Sequence, residues 1–290
     1  MKRIGYKAVL KFIFSIGLVV FLFFNLDLSK LYLIKIDVLL PFFVAVMITL
    51  IAIGFMSFRW KLLIREFLNS RFAFLSLFNF YLIGAFFNIF LPGSIGGDVV
   101  RTQKISRGKD VPLKTATGIT VLERLCGIYG LLILISISLF FTTYPAGLEI
   151  ERFFPVWAFK LSPLLVLICI PLFKWILLKF KFEASYIFIL KIIGISLLAQ
   201  MGDISTAYLL SQYFDLSISF PAFIFMMPLV YVATVLPISI GGLGVREGAF
   251  SGLMLLYGVE ISIAILISLI MYLVKVSVGL VGYVIYLTSK

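Results

Sequence analysis

Two short stretches of the sequence repeat the same residue types in the same order. LPGSIGGDVVR runs from Leu91 to Arg101, and LPISIGGLGVR runs from Leu236 to Arg246. Eight of the eleven positions match, and the copies lie 145 residues apart, which is half of the 290-residue chain. Proline stops a helix, and paired glycines allow a sharp turn with close backbone approach. Each stretch therefore predicts a tight turn followed by a helix that carries an arginine.

These turns combine features that suit an anion such as a phosphate. Amide N–H groups at the start of the following helix favour negative charge. A guanidinium adds a planar fork of donors that fits phosphate oxygens. The candidate substrate-binding residues of the turns are Ser94, Gly96, Gly97, Asp98, Arg101, Ser239, Gly241, Gly242, Arg246 and Glu247. The alternative is that the glycines only permit tight packing and that Arg101 is an ordinary loop charge.

Charged residues also interrupt the apolar part of the chain. Glu123 and Arg124, two more candidate substrate-binding residues, lie about one turn inside an apolar segment. Because charges at membrane depth are usually paired or face a cavity, pseudo-symmetry predicts two pairs, Glu123 with Arg246 and Glu247 with Arg124. Alternatively, Glu123 and Arg124 lie at the membrane interface. Three further charged residues interrupt later segments: Lys191, Asp203 and Lys275. The alternative for the lysines is to extend toward the interface.

The composition indicates a protein whose main solvent is lipid. Hydrophobic residues make up 62% of the chain and charged residues 13%, whereas a soluble domain has roughly a quarter charged residues. The net charge of +12 is explained by basic cytoplasmic loops rather than by nucleic-acid binding. Histidine is absent, and the two cysteines, Cys126 and Cys169, lie in apolar runs. We therefore expect no metal site, no disulfide framework and no cofactor.

Motifs for enzymes and for ATP use are scarce. The sequence has no GxxxxGKS loop and no GxSxG, and HExxH cannot occur without histidine. The GLGVREG run at residues 242–248 resembles a dinucleotide fingerprint but lacks the strand–turn–helix context. No catalytic residue is assigned, and any transport is expected to be passive or coupled to an ion.

Eight apolar segments are long enough to cross a bilayer or nearly so. They run about Ala8–Leu26, Val38–Phe58, Phe74–Leu91, Gly118–Thr142, Phe154–Phe173, Tyr186–Leu210, Phe220–Leu236 and Ile261–Tyr286. We interpret the first as a retained span rather than a signal peptide, because no suitable cleavage site follows it. A shift of 145 residues brings the first four segments close to the second four, which predicts an internal duplication with halves at 1–145 and 146–290.

The basic residues indicate how the segments cross. The loops Phe58–Phe74 and Pro92–Thr117 are both basic, so both are expected in the cytoplasm. The first loop carries Arg59, Lys61, Arg65 and Arg71. Since the third segment lies between these loops, a full crossing would leave one of them outside. A re-entrant third segment that turns at Leu91–Gly97 resolves the conflict, and the seventh segment is then re-entrant from the opposite side.

These observations predict an all-α polytopic membrane protein built from two inverted repeats. Each repeat has about three spanning helices and one re-entrant element, and both termini lie in the cytoplasm. This is the plan of many transporters in the cell membrane. The alternative is eight full spans with parallel halves, which conflicts with the charge pattern.

The two repeated stretches, with Glu123–Arg124 in the helix after the first, resemble the lysylphosphatidylglycerol synthase membrane region and the stand-alone flippase-like proteins that share its pattern. The resemblance covers nearly the whole chain. It implies that, in the complete synthase, a soluble aminoacyl-transferase domain makes the lysyl lipid and the membrane region moves it. Because the chain ends four residues after its last apolar segment, we expect that domain to be absent and do not carry synthase activity over.

The resemblance implies a lipid flippase-like transporter or lipid-handling protein. Its expected partners are membrane lipids that carry a phosphate, of the aminoacyl-phospholipid, phospholipid or polyprenyl-phosphate type. One alternative is a membrane-embedded headgroup or glycosyl transferase with Asp98 or Glu123 as base. A second alternative is an accessory subunit that presents lipid to a lipid-modifying enzyme.

Overall fold

The computed structural model describes residues 27–90, 96–108, 111–141, 161–179, 182–235 and 244–289, together with positions 17, 20 and 24. Over these ranges the chain forms nine α-helices and two short 3-10 turns, and it has no strand. The helices are α1 (Leu39–Leu68), α2 (Phe74–Phe90), α3 (Gly96–Gly108), α4 (Leu113–Phe141), α5 (Ser162–Lys179), α6 (Tyr186–Tyr213), α7 (Phe220–Val235), α8 (Val245–Leu256) and α9 (Ile261–Thr288). Nearly all of the first predicted segment, Ala8–Leu26, lies outside the described residues.

Four of these helices are long and apolar enough to cross a membrane. They span Ile36–Leu68, Leu113–Phe140, Tyr186–Tyr213 and Ile261–Thr288. The shortest has 28 residues, which corresponds to about 42 Å of helix, more than the roughly 30 Å hydrocarbon core. The third and seventh predicted segments are the shorter apolar helices α2 and α7, with 17 and 16 residues. The prediction of an all-α polytopic membrane protein is confirmed.

The outward face of α1 shows why this protein needs lipid around it. Leu40, Phe43, Met47 and Ile51 follow helical spacing, and each is more than half exposed. A water-soluble protein rarely exposes a continuous apolar surface of this kind. The opposite face of α1 is buried and carries smaller residues such as Ala45 and Ala52, which lie inside the helix bundle.

The helices α1 and α6 form a central antiparallel pair. A Cβ atom added to Gly202 would lie 2.4 Å from the Cβ of Ala52, so a side chain at position 202 would force the two helices apart. Further along α1, the ring of Phe67 lies 6.0 Å from the ring of Phe188. As the residue numbers rise along α1 from 52 to 67, those of the contacting residues on α6 fall from 202 to 188. The two helices therefore run antiparallel.

The helices α2 and α3 form a tight antiparallel hairpin. A Cβ atom added to Gly97 would lie 2.1 Å from the carbonyl oxygen of Gly84. The Gly97 N–H also donates to Asn88 Oδ1 at 2.7 Å, and Lys104 Nζ lies 5.6 Å from the Phe80 ring. Only glycine allows this backbone approach. The second pair of short helices, α7 and α8, pack on each other as well.

The two predicted halves interlock through their long helices. Helix α2 packs on α9 of the second half, and α7 packs on α4 of the first half. At the α2–α9 contact the rings of Phe86 and Tyr283 stack 4.7 Å apart. A Cβ atom added to Gly282 would lie 1.9 Å from the Leu82 carbonyl oxygen. Each hairpin is therefore held by a long helix from the other half.

Three predicted boundaries were wrong, and one of them is the end of the fifth segment, since α5 continues past Phe173 to Lys179. Helix α1 continues past Phe58 to Leu68, because no glycine or proline interrupts it before Asn69, whose left-handed backbone (φ 48°) ends the helix. The polar stretch Pro92–Thr117 contains α3, and α4 already begins at Leu113. Most of the basic residues assigned to the first cytoplasmic loop thus lie on a helix.

Candidate functional site

A buried carboxylate on α4 organises the first group of charged side chains. Glu123 is 3% exposed. Its Oε1 accepts hydrogen bonds from Arg59 of α1, with the Arg59 Nε at 3.1 Å. Its Oε2 accepts from Arg101 Nη2 of α3 at 2.9 Å. Because both arginines are also buried, this carboxylate ties three helices together in a region where unpaired charge is strongly unfavourable.

Helical spacing brings the remaining members to the same place. Asp98 lies one turn before Arg101 on α3, and its Oδ1 is 2.9 Å from Arg101 Nη2. Arg124 of α4 forms an ion pair with the other oxygen of Asp98. Nearby, the hydroxyls of Thr102 and Thr120 are hydrogen-bonded at 2.8 Å. Residues three and four apart share a helix face, so α3 and α4 meet along one polar seam.

The Arg101 guanidinium is enclosed but only partly satisfied. Its Cζ lies 4.8 Å from the centre of the Trp60 ring and 4.3 Å from that of Tyr81. The Nε and Nη1 atoms of Arg101 and the Nε1 atom of Trp60 are buried and have no hydrogen-bond partner among the described residues. The aromatic faces stabilise the cation. Each missing hydrogen bond still costs about 1–3 kcal/mol, so these donors favour an acceptor.

We call these five charged side chains the first cluster: Arg59, Asp98, Arg101, Glu123 and Arg124. Three are positive and two are negative, which leaves a net charge of +1. Their ion pairs join α1, α3 and α4. The enclosed members Arg59, Arg101, Asp98 and Glu123 balance in charge, and the additional positive charge is that of Arg124, whose side chain is 32% exposed.

A second group of charges forms around the start of α8. Glu247 Oε1 is 2.5 Å from Arg246 Nη2, and its Oε2 accepts from the Gly244 N–H at 2.7 Å. The Arg246 guanidinium lies 5.2 Å from the centre of the Tyr272 ring on α9. Glu247 therefore caps the N-terminus of α8, where the helix dipole favours a carboxylate.

The same region contains an ion pair between two long helices. Lys275 Nζ of α9 lies 3.2 Å from Asp203 Oδ2 of α6 and 3.3 Å from the Tyr231 hydroxyl of α7. The side chains of Lys275 and Asp203 are 29% and 17% exposed, against 4% for Arg59 and Glu123. We call Asp203, Arg246, Glu247 and Lys275 the second cluster, and it is the more accessible of the two.

The predicted ion pairs between the repeated stretches were wrong. Glu123 pairs with Arg59 and Arg101, and Arg124 pairs with Asp98. Glu247 pairs with its neighbour Arg246. The physical reason is that α3 packs directly on α4, so the charges on these two helices satisfy each other before a partner from the second half can.

The predicted turn residues have mixed outcomes. Ser94, Ser239, Gly241 and Gly242 lie outside the described residues. Gly96 and Gly97 begin α3, as the pattern indicated. The Gly97 N–H is taken by Asn88, and the glycine allows close contact within the hairpin. At Gly97 the structure therefore agrees with the alternative that the glycine permits tight packing.

Sequence reasoning missed Arg59, Trp60 and Tyr81. Arg59 had been assigned to a cytoplasmic loop, yet it is buried and contacts Glu123 and also Ser196, whose Oγ lies 2.8 Å from its Nη1. One signal was present, because an apolar run without a helix breaker leads directly into Arg59. No sequence pattern marked the two aromatic residues, whose role depends on the fold.

The lysines that interrupt the apolar segments differ. Lys191 is exposed on α6, which agrees with the alternative of an extended side chain at the surface. Lys275 instead pairs with Asp203. The same residue type in a similar apolar context therefore has two environments, and only its neighbours distinguish them.

A family model for the lysylphosphatidylglycerol synthase TM region matches residues 8–282. The chain belongs to this family. The match includes both clusters and confirms the resemblance inferred from the repeated stretches. A search of curated proteins finds no match. Together with the four span-length apolar helices, the family membership makes this chain a lipid-related, multi-pass membrane protein.

Proposed function

We propose that the protein is a flippase-like transporter that moves a phosphate-bearing lipid between the two leaflets of the cell membrane. The observation that carries this proposal is the Arg101 guanidinium, which is buried beside Glu123 and has two nitrogens without a partner among the described residues. Phosphate oxygens are suitable acceptors for these donors.

The contacts around Glu123 and Arg101 support a binding mode for the phosphate of a lipid headgroup. Both Glu123 oxygens are held by Arg59 and Arg101. A phosphate that approaches Arg101 accepts hydrogen bonds from its Nε and Nη1, and from the Trp60 Nε1. The acyl chains stay in the surrounding lipid, so only the headgroup crosses the protein.

The central helix pair supports inverted repeats. Adding 145 to the bounds of α1, residues 39–68, gives 184–213, close to the observed Tyr186–Tyr213 of α6. These counterpart helices are antiparallel, as the contacts of Ala52 with Gly202 and of Phe67 with Phe188 require. A two-fold axis in the membrane plane produces this direction, whereas parallel halves would make counterpart helices run the same way. Inverted repeats allow access to alternate by rocking.

The hairpins support re-entrant elements. Helix α2 is an apolar helix of 17 residues, and the polar α3 returns alongside it. We infer that this hairpin enters and leaves on the cytoplasmic side, which keeps both neighbouring basic segments there. The α7–α8 pair enters from the outside. Both chain termini then lie in the cytoplasm.

The same contacts argue against covalent chemistry at this site. A general base needs a carboxylate oxygen that can approach a substrate proton, but both oxygens of Glu123 are engaged by arginines. Asp98 is likewise paired with Arg101 and Arg124. We therefore propose transport without catalysis. Lipid movement by the purified protein alone would argue against a role that is only accessory to a partner enzyme.

The experiment is lipid movement in reconstituted vesicles with labelled phosphatidylglycerol, lysylphosphatidylglycerol or a polyprenyl phosphate. The test variant is Arg101→Lys, which keeps the charge but removes the planar fork of donors. We expect at least about a tenfold slower movement, since charge-assisted hydrogen bonds contribute about 1.5–3 kcal/mol and 1.4 kcal/mol is tenfold in rate.

The matched control is Arg107→Lys, on the same helix but exposed, and it should move lipid at the wild-type rate. Two outcomes would overturn the proposal. The first is wild-type movement no faster than in protein-free vesicles for all three lipids. The second is equal movement by the wild type and the Arg101→Lys variant.

A further inference from the structure

A short segment before α1 connects the ends of two long helices. Residues 27–38 contain the 3-10 turns Leu28–Leu33 and Ile36–Val38. They lie at the end of the bundle where α6 finishes and α9 begins, which the proposed orientation places on the outer side of the membrane. We call residues 27–38 the outer strap, because its two ends are held by two different helices.

The first end of the outer strap is held by the start of α9. Lys30 Nζ lies 3.1 Å from Glu260 Oε2, and the Asp27 N–H donates to Ser262 Oγ at 3.3 Å. Within the strap, an Asp27 carboxylate oxygen accepts from the Ser29 N–H at 2.9 Å and caps the first 3-10 turn. The contacts with α9 therefore fix a strap whose own turn is already formed.

The second end of the outer strap is held by the last residue of α6. The Tyr213 hydroxyl accepts from the Lys35 N–H at 3.1 Å. Its oxygen lies 2.9 Å from Asp37 Oδ1 and 3.3 Å from the Leu33 carbonyl oxygen, and either of these can accept its hydrogen. One hydroxyl on α6 thus contacts three residues of the strap.

Below the outer strap, the two helices enclose a packed apolar core. Leu210 of α6 and Ala264 and Ile267 of α9 are completely buried. Ile34 and Val38 of the strap pack against the same core. The route from this end of the bundle to the second cluster is therefore closed by apolar side chains, with the strap above them.

The outer strap and the second cluster lie at two depths on the same pair of helices. Tyr213 comes ten residues after Asp203 on α6, and Lys275 comes thirteen residues after Ser262 on α9. These separations correspond to about 15 and 20 Å of helix, against a hydrocarbon core of roughly 30 Å. The lengths agree with an ion pair near the middle of the membrane and a strap near its outer surface.

The contacts of the outer strap are suited to reversible release. The side chains of Lys30 and Glu260 are 29% and 47% exposed, against 4% each for Arg59 and Glu123 in the first cluster. Exposed ion pairs and single hydrogen bonds contribute little to stability because water replaces them. The strap can therefore open locally while the buried ion pairs of the first cluster stay intact.

We propose that the outer strap is a latch that keeps the second cluster closed to the outer side, and that it must detach from α6 and α9 before a lipid headgroup can pass. This inference rests on the proposed transport function. Detachment at Tyr213 and Glu260 frees the outer ends of both helices, and their separation opens the apolar core between them. Once the headgroup has passed, the same contacts form again and close the outer side.

The first test measures this opening directly and needs no lipid movement. The reporter is Ser211→Cys, a change of similar size at a position near the end of α6 that is 0% exposed. A charged thiol reagent modifies it only when the outer end opens. The test variant is Tyr213→Phe, which removes the hydroxyl that holds the strap. We expect modification about three to ten times faster, which corresponds to the loss of one hydrogen bond.

The matched control is Tyr32→Phe, which removes a hydroxyl from the strap itself at a residue that is 69% exposed. It should leave the modification rate of the reporter unchanged. Protein without the reporter accounts for any reaction of Cys126 and Cys169. Equal modification rates with Tyr213→Phe and with Tyr32→Phe would overturn the latch, whether or not the protein moves lipid.

The second test holds the outer strap in place. Lys30→Cys and Glu260→Cys are combined and joined by a bifunctional thiol reagent that a reductant cleaves. In vesicles with labelled phosphatidylglycerol, we expect movement to fall to the rate of protein-free vesicles and to recover after reduction. The control pair, Lys114→Cys with Thr117→Cys, lies on exposed positions within α4 and should move lipid at the wild-type rate when joined.

The outcomes separate the latch from the transport function. Wild-type movement with the strap joined to α9 would overturn the latch and leave the transport proposal intact. Absence of movement before any cross-link would refute the transport proposal, whereas the modification rates of the reporter still decide whether the strap holds the outer end closed.

Discussion

The two clusters come from the same repeated stretch, yet they use its arginine in different ways. Arg101 contacts a carboxylate on another helix and is covered by two aromatic rings. Arg246 contacts the adjacent Glu247 and one ring. A shift of 145 residues takes Glu123 to Ser268 and Arg59 to Ile204, so the second half has no equivalent of the central ion pairs. The two stretches keep the same arginine, while the charged residues around it differ.

The difference in burial between the two clusters should have its largest effect on stability when the first cluster loses its central carboxylate. Glu123→Gln leaves Arg59 and Arg101 buried without a counter-charge. We expect a loss of about 3–5 kcal/mol in the free energy of unfolding, the range found when one partner of a buried ion pair is removed. Equilibrium unfolding in mixed detergent micelles would measure it.

The control for this prediction is Glu66→Gln on the exposed side of α1, which should leave the free energy of unfolding nearly unchanged. Similar losses for the two substitutions would show that Glu123 does not hold the first cluster together.

The hairpins offer a second comparison between the halves. Gly97→Ala places a methyl group against the Gly84 backbone, where the nearest atom is 2.1 Å away. We expect a loss of about 1–3 kcal/mol, because the hairpin must open to accept it. Gly252→Ala on α8 meets nothing within 4 Å, so it should be neutral or stabilise the helix by up to about 1 kcal/mol. Thermal unfolding of both variants would show whether the tight contact belongs to the first hairpin.

The smallest effect is expected in the second cluster. Lys275→Met breaks the pair with Asp203, but both side chains are partly exposed. Water can reach the remaining carboxylate, so we expect a loss of roughly 1 kcal/mol in the free energy of unfolding. The control is Lys191→Met at an exposed position of α6. If Lys275→Met lowered the free energy of unfolding as much as Glu123→Gln, the second cluster would be as closed to water as the first. That outcome would contradict the difference in side-chain exposure between the clusters.

Much of the fold follows from the sequence because its signals are local. The apolar segments Tyr186–Leu210 and Ile261–Tyr286 predicted α6 and α9 with the observed starts and ends two or three residues short. The glycine pair at 96–97 predicted the start of α3. The error at Phe58 arose because basic residues were taken to end a helix, whereas helical backbone tolerates them wherever the side chain finds a partner or the surface.

The candidate site was predicted only in part, since residue types indicate what a side chain can bind but not what it meets. Arg101, Glu123, Arg124 and Asp98 were all selected, and they do lie together. The partners predicted for Glu123 and Arg124 were wrong. Arg59 was missed because its contact with Glu123 joins residues 64 positions apart, and nothing in either local sequence marks such a pair.

The sequence by itself determined that this is a helical membrane protein, where most of its apolar helices run, and that it repeats one arginine-bearing stretch. These properties depend on composition, segment length and spacing, which are fixed along the chain. Only the tertiary structure decided which charges neutralise each other. Ion pairing in a medium of low dielectric depends on distances of a few ångströms between helices, and the packing of α1, α3 and α4 sets those distances. The same packing leaves the first cluster closed and the second accessible.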